Sequence, residues 1–185
     1  MGKSTFFDAR EIHVAKAAMS SLGVITYTGG ALLGDLIQVS VTPDQTSSTH
    51  ATEHSGKVTR YKTQGANITV NTEPLAQEKR VLLFGRTQDD TTDEVADNIA
   101  DEAQHVGVAY YKAALDGTIT AVFLPYALFN EGTDDVSTEL ENTTYSTSST
   151  VGYAEADSDG VYRVQKVCAD AAAAITWIKG KLSIT

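Results

Sequence analysis

Val106-Gly107-Val108-Ala109-Tyr110-Tyr111-Lys112-Ala113-Ala114-Leu115 is followed by Asp116-Gly117 and then by Thr118-Ile119-Thr120-Ala121-Val122-Phe123-Leu124. Both runs are rich in β-branched and aromatic residues, which suit a pleated strand, and Asp-Gly between such runs signals a type I′ hairpin turn. A strand-turn-strand unit is therefore predicted over 106–124. Beyond Pro125, Tyr126–Phe129 extends or neighbours it. Along 143–154, Tyr145, Thr147, Ser149, Val151 and Tyr153 share one face, and a turn at Asp157-Ser158-Asp159-Gly160 returns the chain through 161–164. The block from Val106 to Val164 reads as strands polar on one face, suited to lining or joining surfaces.

Upstream, Ile12, Val14 and Lys16 alternate as in a strand while Ile12, Ala15, Met19 and Leu22 also fall on a helical stripe; a strand is expected over 10–18, with Ser20-Ser21-Leu22-Gly23 a turn and 24–28 its hairpin partner. Gly29-Gly30 and Gly34-Asp35 read as breakers. Ile37, Val39 and Val41 face one way along 36–42, and Pro43 is expected to end that strand. Residues 43–56 then form a long Ser/Thr/His loop, a length compact domains usually keep for a function. Strands resume at 57–63 and 66–72. Pro74, the Leu75/Leu82 and Ala76/Leu83 repeats and Gly85 mark one short helix closed by a glycine cap. Residues 87–105 are acidic and read mostly as loop, and 167–179, with its alanine run and Trp177, as a short helix or packed tail.

At 185 residues and 42% hydrophobic content the chain, 1–185, suits a single domain with a sizeable core. The formal charge of −10 is uneven: residues 85–160 hold 16 acidic and 2 basic side chains. Phosphate binding depends on Lys and Arg, so this composition argues against gripping DNA, though not against DNA sliding past. Cys168 is the lone cysteine, which excludes an intramolecular disulfide and a cysteine-based zinc site. Residues 1–30 lack a signal-peptide pattern and no 18 apolar residues run together, so a product made in the cytoplasm, with no membrane partner, is expected.

His50-Ala51-Thr52-Glu53-His54 matches the inverted zinc-protease pattern H-x-x-E-H. That chemistry needs a helix to bring both histidines to one side of the metal, whereas the Ser/Thr/Gly flanks favour a loop, so no metal is expected. Gly2-Lys3-Ser4 lacks the preceding strand and glycine of a P-loop. Asp157-Ser158-Asp159-Gly160 opens like a calcium loop, but its twelfth position is Cys168. Asp134-Asp135 with Glu131 reads as a solvated loop. No catalytic residue, cofactor or metal site is expected.

Five segments taken in order carry a family likeness: Ala9-Arg10-Glu11-Ile12-His13-Val14-Ala15-Lys16; Leu36-Ile37-Gln38-Val39-Ser40-Val41-Thr42-Pro43; Ile68-Thr69-Val70 leading through Leu75 to Leu82-Leu83-Phe84-Gly85; Val106-Gly107-Val108-Ala109-Tyr110 with Asp116-Gly117; and Thr138 to Gly152 ending at Asp159-Gly160. Their order and spacing resemble the major tail tube protein family of long-tailed phages (siphophages). The resemblance implies a mainly β fold, sandwich- or barrel-like, with one flanking short helix. It also implies a non-enzymatic virion protein whose hexameric rings stack into the tail tube, the conduit for DNA ejection.

The implied partners are further copies of the chain, the tape-measure protein and the tail terminator and baseplate proteins, with DNA passing the lumen without specific binding. The inter-ring loop would be 43–56, with Pro43, Asp44, Thr46, His50, His54 and Gly56 as its assembly residues. Thr49, His50 and His54 stand where relatives often carry acidic residues, and a usual basic residue and glycine are missing around 124–130. A secretion-system tube subunit and a β-sandwich adhesion or carbohydrate-binding module are the alternatives.

Overall fold

A computed structural model describes residues 6–52, 56–89, 91–131 and 147–184. In chain order the elements are β1 (Phe6–Met19), β2 (Ile25–Gly34), β3 (Leu36–Thr52), β4 (Gly56–Thr72), α1 (Gln77–Phe84), β5 (Thr87–Gln88), β6 (Val95–Ala96), β7 (Val106–Ala114), β8 (Ile119–Asn130), β9 (Ser148–Glu155), β10 (Val164–Cys168) and α2 (Ala171–Lys181). The fold is mainly β and sandwich-like, as expected, with two short helices rather than one.

All the long strands belong to one antiparallel sheet in the order β2-β1-β7-β8-β9-β4-β3. β8 splits its outer edge, pairing β10 over Ile119–Phe123 and β9 over Tyr126–Asn130. The first and last strands of that order, β2 and β3, are joined through Asp35 alone. The sheet therefore curls, and its concave face closes over one core containing Ile12, Val14, Leu33, Ile68, Val70, Val106, Val108, Val122, Leu124 and Phe129. α1 adds Leu82, Leu83 and Phe84 to this core. Gly85 ends α1 in the left-handed region, φ 67°, its N–H returning to the Val81 carbonyl, as the glycine cap predicts.

The convex face of β1, β7 and β8 is covered as well. Ala15, Ala109, Tyr111, Ala121 and Phe123 pack under α2 residues Ala174 and Ile178, and under Leu182 just beyond it. Burial on both faces explains why β7 reads as a near-continuous apolar run, and it corrects the expectation of a polar face there: Tyr110 and Tyr111 are both 6% exposed. Of the two readings of 167–179 the short helix forms, as α2, and β10 before it completes this second layer.

Several predicted breaks turn out to be irregularities within continuous strands. Pro125 lies inside β8 beside a shift in register, Val106↔Ala127 followed by Val108↔Leu124, and a bulge is where a central strand tolerates proline. Gly29-Gly30 lies inside β2, and a Cβ on Gly30 would lie 2.2 Å from Ile184 Cγ1, so the bare backbone there admits the C-terminal segment.

The Asp116-Gly117 hairpin forms as predicted, with a different turn. Ala114 N–H donates to the Thr118 carbonyl (2.9 Å), Gly117 N–H donates to the Ala114 carbonyl (3.0 Å), and Gly117 has φ 81° while Asp116 does not take a positive φ. This is the three-residue loop with a glycine bulge. The same five-residue pattern recurs at Ser20–Val24 and at Asp157–Val161, with Gly23 and Gly160 in the glycine position. At Asp157 the carboxylate accepts from Asp159 and Val161 N–H, so the calcium-like segment is a self-satisfied turn. The strand after it pairs with β8 rather than with the preceding strand.

Candidate assembly surface

The expected loop over 43–56 is instead half of a long β ribbon. β3 and β4 stay paired from Leu36↔Thr72 out to Thr52↔Gly56. Pro43 does not end β3; it pairs with Ala66, which is tolerable because among the described residues β3 has β4 as its single neighbour and an edge strand can leave proline's missing donor on the open side. Ser and Thr hide strand character from a reading that looks for apolar alternation, because a strand exposed on both faces needs none.

β4 rests on β9 only over Gly65–Thr72. Outward from there, 45–52 and 56–63 form a two-stranded arm. The arm leaves the sheet at a register shift between Asp44 and Gln45, which spans Gln64. At this root Tyr153 Oη donates to Asp44 Oδ2 (3.1 Å), and a Cβ on Gly65 would lie 2.4 Å from the Ala154 carbonyl oxygen, so the backbones of β4 and β9 approach closely only because residue 65 is glycine.

Along the arm, Gln45 Nε2 donates to Thr63 Oγ1 (3.3 Å), Thr46 Oγ1 donates to the Lys62 carbonyl (3.3 Å), and Thr49 and Thr59 hydroxyls lie 3.2 Å apart. Such cross-strand pairs each contribute roughly 0.2–1 kcal/mol. Tyr61 is 71% exposed.

The predicted assembly residues are thus divided. Pro43 and Asp44 belong to the sheet proper, while Thr46 lies on the arm. The His50 backbone pairs with Val58 and that of Gly56 with Thr52 near the tip, and His54 lies outside the described residues. The backbone at 50–52 is strand, not the helix that H-x-x-E-H chemistry needs. Among the described residues no three His, Cys, Asp or Glu side chains converge on a point.

Charge separates the arm from the body. Residues 45–63 carry Lys57, Arg60 and Lys62 against Glu53, whereas 85–160 carry the acidic excess. The segment 87–105 is mostly irregular, as expected, with the small β5–β6 pairing. It is held down by Arg86, whose guanidinium reaches Asp97 (3.2 Å), Asp101 (3.3 Å) and Glu131, and Arg80 meets the same Glu131. The Asp97 contact is close in distance but not aligned as a hydrogen bond, since Arg86 Nε has no acceptor among the described residues.

Burial alone would raise the Glu131 pKa, yet the hydrogen bonds from Arg86 and Arg80 outweigh it and hold the carboxyl below its usual range. Glu131 is therefore an anchor and not part of a solvated loop; Asp134-Asp135 lie outside the described residues. At the outer side of the acidic segment Ile99 is fully exposed beside Asp97 and Asp101.

Sequence reasoning missed Arg80, Arg86 and Glu131. The available signal was that Arg86 is one of two basic residues in an acidic block of 76 residues, 85–160. A cation amid so many carboxylates points to an ion pair, though not to which acid it meets. No protein-family model matches the chain, and no curated protein matches it either.

Proposed function

We propose that the chain is a self-assembling structural subunit of the phage tail tube kind, forming rings that stack into a tube through which DNA passes. The observation that supports this reading is the β3–β4 arm, a ribbon of about 20 Å or more at roughly 3.3 Å per residue, exposed on both faces over 45–49 and 59–63 and, among the described residues, with both edges unpaired beyond Gly65. An unpaired ribbon is an aggregation hazard for a free monomer and an asset to a subunit whose neighbours cover it. Head-to-tail contact between an arm and a different surface of the next copy closes rings or propagates tubes. The acidic segment anchored by Arg86 is the complementary surface for the arm's Lys57, Arg60 and Lys62. A sugar-binding face would instead present several exposed aromatic rings, and among the described Phe, Trp and Tyr side chains Tyr61 alone is strongly exposed.

Sedimentation velocity across concentration, followed by negative-stain microscopy, tests the reading. Rings and tubes are expected, and a clean monomer at tens of micromolar, about the range where weak contacts populate, would count decisively against it. Thr46 pairs with Lys62, so Ser47–Tyr61 can be replaced by an Asn-Gly turn that keeps the register. This shortened chain is expected to fold and to form no tubes.

A further inference from the structure

The acidic segment displays one side chain that its own chemistry does not call for. Ile99 is fully exposed in a stretch, 93–102, whose other exposed positions are charged, polar or alanine. Single exposed apolar side chains are common on protein surfaces, but this one is held in place. Asn98 N–H donates to Asp101 Oδ2 (2.8 Å), Ala100 N–H to Asn98 Oδ1 (3.0 Å), and Asp101 N–H to the Asn98 carbonyl (2.9 Å). Ile99 sits at the crest of the turn so closed, and Asp101 ties that turn to Arg86 (3.3 Å) and through it to Glu131. An apolar side chain fixed before its partner arrives loses little conformational freedom on burial, which is what an interface anchor requires.

The arm offers a seat of matching shape. Arg60 and Lys62 stand on one face of β4, two residues or roughly 6.6 Å apart, and their cross-strand partners on that face are Ser48 and Thr46. Two long stems thus wall a shallow notch with a floor of small residues, wide enough for one branched side chain. All four residues are exposed, and neither cation meets a carboxylate among the described residues. Ile99 is itself uncovered, so its own arm does not reach it.

We propose that Ile99 of one copy is the anchor of the arm contact: it seats between the methylene stems of Arg60 and Lys62 of a second copy, over Ser48 and Thr46, while Asp97 and Glu102 meet the two charged heads. This rests on the reading of the chain as a self-assembling tube subunit and names the residue that fixes the register of that contact. Charge complementarity selects a second copy as the occupant. Asp97 stays 57% exposed despite its contact with Arg86, and Glu102 is exposed on the other side of Ile99. Exposed ion pairs contribute little and a buried isoleucine contributes more, so the apolar side chain sets the affinity and the charges set the orientation.

The test isolates one such contact on a biosensor. The shortened chain, with Ser47–Tyr61 replaced by Asn-Gly, is immobilised and presents Ile99 without an arm. A chain carrying Ile99→Ser is passed over it and presents the arm without the anchor. Saturable binding is expected. Adding Ile99→Ser to the immobilised chain should raise the dissociation constant at least about tenfold, on the scale of one isoleucine side chain left unburied. Ile99→Leu, which conserves volume, should keep it within about threefold. Because Ile99 is fully exposed, each variant is expected to melt at the temperature of its parent.

Binding that survives Ile99→Ser on the sensor but is abolished by Arg60→Glu with Lys62→Glu in solution overturns the inference, leaving a contact made by charge alone and the tube reading intact. Absence of binding in every pairing overturns it as well. Wild type that still assembles then keeps the tube reading, and wild type that stays monomeric removes both.

Discussion

His13 is 6% exposed, and among the described residues neither ring nitrogen has a hydrogen-bond partner. The nearest carboxylate, Glu11 Oε2, is 3.6 Å from Nε2, too far for a good hydrogen bond. Glu11 itself sits at φ 47° where β1 shifts register against β7. Burial lowers the His13 pKa; Glu11 acts against that, and Lys179 of α2 adds to it. The native state thus prefers the neutral ring, and the unfolded chain binds the extra proton. Stability from this site is fully present above the ordinary imidazole value of 6.5 and is lost as pH falls below it toward the lowered folded value. Urea unfolding at a series of pH values is expected to show this acid-side slope, at most about 1.4 kcal/mol per pH unit for one proton. His13→Leu should remove it, and an unchanged slope in the variant would exclude His13 as its origin.

At the scale of elements, what was legible in the sequence and what was not divide along physical lines. α1 was readable because helix ends are local: a glycine cap and an apolar repeat suffice. β1 was readable in part, its alternation competing with a helical stripe through Ile12, Ala15, Met19 and Leu22. The arm was not, because ribbon residues exposed on both faces leave no period to find. For β8 the extension past Pro125 was one of two open readings, and the sequence could not choose, since a bulge depends on the register of a neighbour rather than on the residue itself. The sequence marks Arg86 as a cation among acids but hides its partner for a similar reason: Glu131 lies 45 residues away.

α2 had a local signal in Asp170, whose carboxylate accepts from Ala173 N–H at 2.7 Å. Asp170→Ala is expected to cost about 1 kcal/mol, the usual value of such a cap, measured by chemical denaturation. A loss well under 0.3 kcal/mol, on the scale expected of an uninvolved surface position, would mean that packing alone holds the helix start.

For the whole molecule, the distribution of charge matters more than its total. A formal charge of −10 repels copies from one another at long range, so contacts between subunits require local complementarity. The basic arm and the acidic body offer it. Arg60→Glu combined with Lys62→Glu is expected to leave monomer stability within about 0.5 kcal/mol, as for exposed positions, while preventing elongation in light scattering and microscopy. Tubes of normal length from this variant would show that the arm does not engage the acidic segment.

The pairing order of the sheet also sets a schedule for the chain as it leaves the ribosome. The β3–β4 hairpin is complete once Thr72 has emerged, yet the strand that covers its inner edge, β9, begins at Ser148. At about 5–20 residues per second, those roughly 75 residues take on the order of 4–15 s. Throughout that interval the hairpin stands with both edges bare in a crowded cell. An apolar ribbon would seek other nascent chains, and the Thr, Ser, Lys and Arg of the arm act as gatekeepers against it. The polarity that conceals the arm from a reader of the sequence is therefore also what lets it wait, unpaired, for the rest of the protein to be made.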